Sequence, residues 1–504
     1  MKTLWHTFHT KDKSEKLFLL AMAALLLLGL LLRARHFLAG RSLWYDEAML
    51  AINVVRLSFG ELTQQPLPYE QGAPIGFLFF LKSTVLLLGD SEYSFRLFSF
   101  LTGSASVIIL AYFATKFLGI VGALFSLALF ATTPFAIYYS AETKQYIGDL
   151  FAVLFVILLY LWLLNAPYSN KRMAVFSLAS ALLLWVSYAS VFGIAAVGLS
   201  LLWHHYRQNN MRAFWRTFAG LAFAGLNALL VYWINVRPIA ENAFLASFWD
   251  GAYMPFPPTL DWLVGMMTAL LQKPIGLRIP TWLALAFSLV GAIWLWMRQR
   301  TFVLPILLTF GLTLIAGALQ KYPLAERMLL FWVPLLFLLF GAALDALFHL
   351  LRPRGLAVFA VSLLAFSVLL SPTRESLHKF QKPLTREHIR PAMQHLAENY
   401  REGDLVYLYY FSEPAYLFYA PKYGLDEIPY ILGENRQGTP DLYKSDIDAL
   451  NIHGRAWFLF SHVYEVAEIN EEYYITDYLK QIAEKKRNFR YPGSSVSLYL
   501  YTFP

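Results

Sequence analysis

The sequence predicts a polytopic α-helical membrane protein that ends in a soluble α/β domain. Apolar residues make up 58% of the 504 positions and charged residues only 15%, whereas a soluble chain carries roughly 25% charged residues. Apolar runs of about 17–25 residues, each long enough to span a bilayer, recur through the first 371 positions. Beyond residue 371 the charge content becomes that of a soluble domain. We therefore expect a membrane domain at 1–371 and an extracytoplasmic domain at 372–504.

The topology follows from the lengths of the apolar runs and from the basic loops. The run at 17–36 is interpreted as a retained anchor, followed by an outer loop (37–94) with interfacial helices. The short run at 74–89 contains Lys82 and is predicted not to cross. About eleven crossings and a cytoplasmic N-terminus then make every inward loop basic, as the positive-inside rule requires. These loops lie near 116, 171–172, 207–216, 298–300 and 352–354.

Charge and cysteine content exclude several classes of function. The net charge of +8 comes mostly from the inward loops, so it is a topology signal and no nucleic-acid partner is expected. The chain has no cysteine, which excludes disulfides, thiolate metal sites and cysteine nucleophiles. No Gly-rich phosphate loop follows a predicted strand, so a nucleotide site is not expected either.

The predicted outer face gathers acidic and basic residues that suit phosphate chemistry. Carboxylates at membrane depth cost ~2.5–3.5 kcal/mol, so the pair Asp46-Glu47 is a functional-site hypothesis by default. Either carboxylate is suited to act as a general base. Arg96, Lys144 and Arg327 are suited to hold an anionic group. A base and a phosphate clamp at headgroup depth favour sugar transfer from a polyprenyl phosphate carrier.

In their order and spacing these motifs resemble the GT-C glycosyltransferase superfamily, in particular glycosyltransferase family 39. Its relatives include protein O-mannosyltransferases and the enzymes that add aminoarabinose to lipid A. The resemblance rests on Asp46-Glu47, Gly72-Ala73-Pro74-Ile75-Gly76, Tyr93-Ser94-Phe95-Arg96-Leu97, Glu142-Thr143-Lys144-Gln145-Tyr146 and Tyr322-Pro323 to Arg327. It implies a GT-C-like fold, an inverting transfer to an extracytoplasmic acceptor, and a bacterial or archaeal cell membrane.

Carried over residue by residue, the resemblance implies Asp46 as the catalytic carboxylate and Glu47 as its support. The implied donor-phosphate and substrate-binding residues are Arg96, Glu142, Lys144, Tyr146, Tyr322 and Arg327. Two positions depart from the family pattern. Ala73 stands where many relatives carry His or Lys, which leaves Lys82 as a substitute. Lys144 replaces the usual Arg and gives a point charge instead of a fork.

Each of these residues also has a purely structural interpretation. Asp46 is a good cap for the helix that follows it, and Arg96 is suited to reach the membrane interface from a helix end. Glu142 and Lys144 are compatible with an exposed ion pair, and Arg327 with a pair to Glu326. The structural interpretation is preferred for Trp249-Asp250 and for residues 386–390, which are predicted to be a solvated face of a helix.

Rival functions and cofactors also follow from the sequence. A sugar polymerase or ligase with a polyprenyl pyrophosphate donor would share the site, and a lipid or sugar transporter is the rival from another class. Membrane spans free of charged residues favour an enzyme over a transporter. No metal is expected to be obligatory, and a divalent cation between Asp46 and Glu142 is the alternative. The expected partners are the donor, membrane lipids and an acceptor that is a lipid, a glycan or a protein.

The C-terminal domain is predicted from alternating helical and strand patterns. A helix is expected from Thr385 to Tyr400, opened by a Thr cap, and a second helix from Asn470 to Glu484. Buried strands are expected at Leu405 to Tyr410, Ala456 to Phe460 and Ser495 to Thr502. This order fits a small α/β domain of about 130 residues.

Overall fold

The computed structural model describes residues 12–351, 353–383, 385–466 and 469–504. Arg352, in one of the predicted basic loops, lies outside these ranges. Contacts divide the chain into two compact units. Unit 1 comprises Met1–Ala39, Phe59–Leu87 and Arg96–Lys382, and unit 2 comprises Gly40–Ser58, Leu88–Phe95 and Pro383–Pro504. Two segments of the predicted outer loop therefore belong to the same unit as the C-terminal residues.

The helices are, in chain order, α1 Lys13–Leu38, α2 Tyr45–Arg56, α3 Ile75–Leu88, α4 Glu92–Phe117, α5 Ile120–Thr132, α6 Pro134–Tyr139, α7 Tyr146–Leu164, α8 Asn170–Val186, α9 Ser190–Arg207, α10 Met211–Val231, α11 Arg237–Ala240, α12 Ala243–Trp249, α13 Leu260–Leu270, α14 Thr281–Arg298, α15 Arg300–Ala318, α16 Trp332–Leu350, α17 Arg354–Gln381, α18 Arg390–Asn399, α19 Glu413–Tyr419, α20 Leu442–Ala449 and α21 Glu471–Ile482. The strands are β1 Leu405–Leu408, β2 Tyr430–Leu432, β3 Gly454–Phe460, β4 Glu465–Val466, β5 Ile469–Asn470, β6 Glu484–Arg490 and β7 Ser497–Phe503.

Unit 1 is a bundle of apolar helices, and the chain is an integral membrane protein. In the described residues, eight helices are long and apolar enough to cross a membrane: α1, α4, α7, the continuous helix Met211–Ala240 that joins α10 to α11, α14, α15, α16 and α17. The other three predicted crossings coincide with α5, α8 and α9. Of these, α5 has only 13 residues, fewer than the ~17–25 of a membrane-spanning helix, whereas α8 has 17 and lies at the lower end of that range. The 14 residues of α3 are also short, in line with a helix that does not cross.

A carboxylate from one membrane helix holds the start of another. Asp345 of α16 accepts hydrogen bonds from the backbone N–H groups of Gly119, at 2.6 Å, and Gly122, at 2.9 Å. A Cβ at Gly122 would lie 2.4 Å from an Asp345 carboxylate oxygen, so the approach requires glycine. Asp345 thus satisfies two of the four backbone donors that the first turn of α5 leaves open.

The prediction of membrane spans free of charged residues is wrong at Asp345 and at two further buried positions. Arg33 of α1 donates to the carbonyl oxygens of Gly29 and Phe130 at 3.0 and 3.2 Å. Asp149 of α7 accepts from the Ser187 hydroxyl at 2.5 Å. Each charge binds polar groups of a second helix or turn, which is how buried charges in membrane helices are usually accommodated. They fit a role in helix packing.

Unit 2 contains a five-stranded mixed sheet with the strand order β2-β1-β3-β7-β6. Strand β1 pairs in parallel with β2 and β3, and β7 pairs antiparallel with β3 and β6. Alternate residues such as Phe458 and Tyr501 pack in one core with Ile447 of α20 and Leu479 of α21. On the other face, Trp457 and Leu500 are also buried, so the sheet is covered on both sides. The predicted α/β character is therefore correct.

The predicted first helix of the C-terminal region begins too early. Helix α18 starts at Arg390, where Pro391 in the first turn needs no backbone partner. Thr385 is not its cap, because the Thr385 hydroxyl donates to the carbonyl oxygen of Gly493 at 3.1 Å. Asn470, by contrast, caps α21 as predicted, since its side chain accepts from the backbone N–H of Tyr473.

Candidate functional site

Helix α2 carries the predicted catalytic pair in its first turn. Its N-cap is Trp44, and the Glu47 carboxylate accepts from the Trp44 backbone N–H at 3.3 Å. Glu47 is fully buried, whereas Asp46 is half-buried. The capping interpretation of Asp46 is therefore wrong, because the carboxylate that closes the first turn is that of Glu47. A supporting role for Glu47 is compatible with this contact.

The start of α2 is clamped by residues from the C-terminal part of unit 2. Glu387 accepts from the Tyr45 backbone N–H at 2.8 Å, and its other carboxylate oxygen lies 2.8 Å from His462 Nδ1. The His462 ring stacks on the Tyr45 ring with centroids 4.5 Å apart. The Tyr419 hydroxyl accepts from the Leu43 backbone N–H at 2.8 Å. The backbone just before Asp46 is thus held at two positions, Leu43 and Tyr45.

The electrostatic surroundings of α2 place Asp46 close to this clamp. Burial raises the pKa of the Tyr45 hydroxyl above its usual range, and the charges of Asp46 and Glu387 add to the effect. Burial and then the charge of Glu387 raise the pKa of Tyr464, with Asp46 again contributing. The charge of Asp46 thus acts on both tyrosine hydroxyls, and the Tyr464 hydroxyl also lies 3.2 Å from His462 Nε2.

The interpretation of residues 386–390 as a solvated helix face is wrong for all of them except Arg386, which is exposed. Glu387 is only 4% exposed. Arg390 lies 3.3 Å from the Glu92 carboxylate, and the Arg386 guanidinium lies 4.9 Å from the centre of the Trp44 ring. The alternation of charges suggested a surface, but the partners of these residues lie far away in sequence: Glu387 contacts Tyr45 across 342 positions and His462 across 75. Sequence patterns carry no signal for such contacts.

In unit 1, the loop at 140–146 is attached to the helix that carries Arg96. Ser99 of α4 donates to the carbonyl oxygen of Glu142 at 2.6 Å and also lies 3.2 Å from that of Lys144. A Cβ at Gly103 would lie 2.2 Å from the Ser140 hydroxyl. Arg96, Ser99 and Gly103 share one face of α4 because they are three and four residues apart. Arg96 is only 1% exposed, so its interpretation as a charge reaching the interface is wrong.

The interfacial segment before α3 contacts the same loop. Lys144 donates from Nζ to Gln71 Oε1 at 2.9 Å. Glu142 and Lys144 are 3% and 7% exposed, so they do not form an exposed ion pair. Asn235 orients the start of α3, since its side chain accepts from the Ile75 N–H at 3.2 Å and donates to the Ala73 carbonyl at 3.3 Å. Gln71 and Asn235 were not predicted as site residues, because a single amide side chain forms no recognisable sequence motif.

Arg327 lines a cavity of about 670 Å³ that also has aromatic residues in its wall. The Arg327 guanidinium lies 5.4 Å from the centre of the Tyr146 ring and 5.1 Å from that of Trp249. Glu326 forms an ion pair with Lys273 at 2.8 Å, in place of the pair with Arg327 that the structural interpretation expected. Trp249, which the sequence analysis assigned to a structural role, lines this cavity together with Tyr139.

The Tyr139 ring meets the Tyr146 ring edge-on, with centroids 5.7 Å apart. Burial and then the charge of Glu142 raise the pKa of Tyr139 well above its usual value. The Tyr322 hydroxyl donates to the Met328 carbonyl at 2.9 Å, and its ring meets Phe192 edge-on at 5.0 Å. Tyr322 therefore fixes the turn that presents Arg327. Lys82 is half-buried on α3.

The structure thus assembles the predicted residues in two groups. Unit 2 contains Asp46 and Glu47, joined by Glu387, His462 and Tyr464. Unit 1 contains six of the predicted residues: Arg96, Glu142, Lys144, Tyr146, Tyr322 and Arg327. The structure adds Ser99, Gln71, Asn235 and Trp249 to this group. No group of three or more His, Cys, Asp or Glu residues within the described ranges is arranged to hold a metal ion.

Comparison with solved structures identifies the fold. ArnT from Cupriavidus metallidurans, an aminoarabinose transferase, is similar over 97% of this chain and 98% of its own, with a TM-score of 0.53 and 14% identity. Its structure bound to undecaprenyl phosphate has a TM-score of 0.52 and 14% identity, over 96% of this chain and 97% of its own. The chain has a GT-C fold.

A second GT-C protein is also similar in structure. The archaeal oligosaccharyltransferase AglB from Archaeoglobus fulgidus, solved with an inhibitory peptide and a dolichol-phosphate, covers 98% of this chain and 75% of its own. Its TM-score is 0.51 and its identity 10%. The sequence matches no protein-family model and no curated protein. The GT-C fold predicted from the motifs is therefore confirmed by structure alone.

Proposed function

We propose that this GT-C protein is a membrane glycosyltransferase that moves a sugar from a polyprenyl-phosphate-linked donor to an extracytoplasmic acceptor. The observation that carries the proposal is the gathering of cationic side chains around the loop 140–146. Arg96 and Lys144 are buried there, and Arg327 stacks on Tyr146. Such a cluster suits the phosphate of a lipid carrier, since charge-assisted hydrogen bonds to phosphate are strong. The ArnT structure with undecaprenyl phosphate supports the choice of anion.

In the proposed reaction, a hydroxyl or amine of the acceptor attacks the anomeric carbon of the donor sugar. Asp46 takes the acceptor proton as general base, and the bond between the anomeric carbon and the phosphate oxygen breaks. The polyprenyl phosphate leaves with its charge stabilised by Arg96 and Lys144. Attack from the face opposite to the leaving phosphate inverts the configuration. Tyr146 and Arg327 border the donor.

Asp46 is the better candidate for the base of the two carboxylates. Glu47 is fully buried and accepts the Trp44 backbone N–H, so it holds the first turn of the helix. Asp46 occupies the half-exposed position in the same turn. A base must reach the proton it removes, and partial exposure at the start of a clamped helix provides that access.

The test is sugar transfer in membrane vesicles supplied with a labelled polyprenyl-phosphate sugar. Asp46→Asn is expected to lower the rate about 100-fold or more, since a general base contributes about 10²–10⁴. Asp90→Asn is the matched control, because Asp90 belongs to the same unit and forms a half-exposed pair with Lys422. Equal rates for the Asp46→Asn variant and the wild type would reject Asp46 as the base.

The same assay separates the rival functions. Transfer from a polyprenyl-pyrophosphate sugar, with none from the monophosphate, would favour a polymerase or ligase. Movement of the labelled lipid across the vesicle membrane without cleavage would favour a transporter. We propose that no divalent metal is obligatory, so transfer should persist in EDTA. Loss in EDTA and recovery with Mg²⁺ or Mn²⁺ would favour a cation held by Asp46 and Glu142.

A further inference from the structure

A polar cavity lies at the end of the membrane helices away from the loop 140–146. Helix α7 begins at Tyr146 and ends at Leu164, and Leu164 lines this cavity. The cavity has a volume of about 430 Å³ between the α7–α8 connection, the end of α9 and the start of α10. We call it the basic cavity. Its ionisable lining residues are Tyr168, Arg172, His204 and His205.

The basic cavity is suited to an anion. Among the described residues that line it, none is acidic. Arg172 is held in place at the wall, since it donates to the Trp162 carbonyl at 3.4 Å and its guanidinium lies 4.9 Å from the centre of the Trp162 ring. His204 and His205 each add a ring N–H donor, which a neutral imidazole also carries. A set of donors with no carboxylate among them selects for phosphate or a similar group.

Two buried polar atoms at this cavity lack partners. His205 is 8% exposed and Thr217 is fully buried. Within the described part of the chain, neither His205 Nδ1 nor the Thr217 hydroxyl has a hydrogen-bond partner. Buried polar groups are nearly always hydrogen-bonded, so a pair without partners beside a cavity indicates a bound group that supplies them.

An open groove adjoins the basic cavity, and His204 lines both. The groove has a volume of about 660 Å³, and Leu199, Leu304 and Leu308 provide its apolar wall. We call it the leucine groove. Two tryptophans and two arginines also line it: Trp203, Trp296, Arg207 and Arg300. Tryptophan and arginine in this arrangement are typical of the boundary between lipid headgroups and acyl chains.

We infer that the basic cavity and the leucine groove together bind one anionic phospholipid. The phosphate would lie against Arg172, His204 and His205, and an acyl chain would follow Leu304 and Leu308. A soluble anion would explain the basic cavity but not the apolar groove beside it. Basic pockets between membrane helices are established binding sites for anionic headgroups. The site is separate from the proposed transfer site.

The experiment is native mass spectrometry of the full-length protein released from nanodiscs that contain phosphatidylglycerol and phosphatidylcholine. We expect one phosphatidylglycerol to be retained in preference to phosphatidylcholine. Arg172→Gln should weaken its retention about fivefold, the effect of removing one basic contact at the membrane surface. Arg172→Lys should restore most of it. Arg212→Gln is the control, because Arg212 is exposed at the start of α10 and does not line either cavity.

A second variant tests the groove without changing charge. Leu304→Trp narrows the leucine groove and should also reduce retention of phosphatidylglycerol. This variant keeps the inference testable if Arg172→Gln fails to fold. Equal retention of the two lipids by the wild type would overturn the inference. If millimolar inorganic phosphate without lipid raised the apparent Tm as much as phosphatidylglycerol does, the site would be one for a soluble phosphate and the lipid assignment would fail.

Discussion

Glu387 accepts the backbone N–H of Tyr45, the residue before Asp46, across 342 positions of sequence. The same carboxylate contacts His462, whose ring stacks on Tyr45. The C-terminal residues of unit 2 therefore hold the turn that carries the proposed base. A carboxylate at a helix N-terminus also stabilises the helix dipole. Glu387 is a positioning residue in this arrangement, because it acts through the backbone of α2.

Glu387→Ala is expected to destabilise unit 2 and to lower transfer activity. The change removes a buried carboxylate that accepts from a backbone N–H, and such hydrogen bonds contribute about 1.5–3 kcal/mol. We expect a lower apparent Tm and a lower kcat with little change in KM for the donor, since the proposed phosphate-binding residues Arg96 and Lys144 lie in unit 1. Thermal unfolding and initial rates provide the measurements.

The control for Glu387 is Glu398→Ala. Glu398 is exposed on α18. Within the described residues, its side chain forms a hydrogen bond only with Gln394. This variant should match the wild type in both measurements. An unchanged Tm and kcat in Glu387→Ala would show that the clamp does not position Asp46.

The Glu387 contact also shows where prediction from sequence stops. The pattern from Arg386 to Arg390 alternates in charge and resembles a solvated helix. Glu387 is buried because residues distant in sequence, Tyr45 and His462, pack against it in the folded protein. By contrast, helices such as α1 and α7 were predictable because a long apolar run is a local signal. Asp46 and Arg96 were identified because charge at a membrane edge is conspicuous, whereas Gln71 and Ser99 act through single hydrogen bonds.

Gly103→Ala is expected to disturb the loop 140–146. The new Cβ would lie 2.2 Å from the Ser140 hydroxyl and 2.7 Å from Ser140 Cβ. Overpacking of this kind typically costs about 1–3 kcal/mol. Because the loop carries Glu142 and Lys144, both the Tm and the transfer rate should fall. The double variant Gly103→Ala/Ser140→Gly should recover most of both losses.

Gly225→Ala is the control for this prediction. A Cβ at Gly225 on α10 would meet no heavy atom of another described residue within 4 Å, and alanine favours helix over glycine by about 1 kcal/mol. Its Tm should be unchanged or slightly higher. If Ser140→Gly failed to rescue Gly103→Ala, the contact between α4 and the loop would not explain the loss.

Lys144→Gln is expected to weaken donor binding. The change removes the charge and shortens the side chain that reaches Gln71. A lost charge-assisted contact to phosphate, at about 1.5–3 kcal/mol, corresponds to a rise in donor KM of about tenfold or more. Lys321→Gln, an exposed lysine of the same unit, should leave KM unchanged. A fall in kcat at constant KM would assign Lys144 to the chemical step instead of donor binding.

Asp345→Ala is expected to destabilise unit 1 without a direct effect on donor binding. The change removes the acceptor of two backbone N–H groups, that of Gly119, which is exposed, and that of Gly122, which is buried. A buried N–H group left unpaired, as at Gly122, costs about 1–3 kcal/mol. Asp345→Asn keeps one acceptor oxygen, so its apparent Tm should lie between those of the wild type and Asp345→Ala. An equal Tm in all three proteins would mean that α5 does not depend on this cap.

Asp404 in unit 2 predicts a specific dependence of stability on pH. Burial opposes its charged form, but hydrogen bonds from Arg455 and Trp457 outweigh this and lower the pKa of Asp404. The Arg455 nitrogens lie 2.7 and 2.9 Å from the carboxylate oxygens. A lowered pKa in the folded state stabilises the fold above the ordinary aspartate value of about 3.9, and this stability is lost as pH falls through the folded value.

Arg455→Met should therefore lower the apparent Tm most at neutral pH. The difference from the wild type should shrink as pH falls below the ordinary aspartate value of about 3.9 and through the lowered pKa of Asp404 in the folded state, because protonation of Asp404 removes the same interaction in the wild type. The hydrogen bond from Arg455 to the Asn399 carbonyl does not titrate, so a constant residual difference should remain at low pH. Thermal unfolding followed by tryptophan fluorescence measures both. A difference that stays constant from neutral to low pH would show that the Arg455 side chain stabilises unit 2 without its charge pair to Asp404.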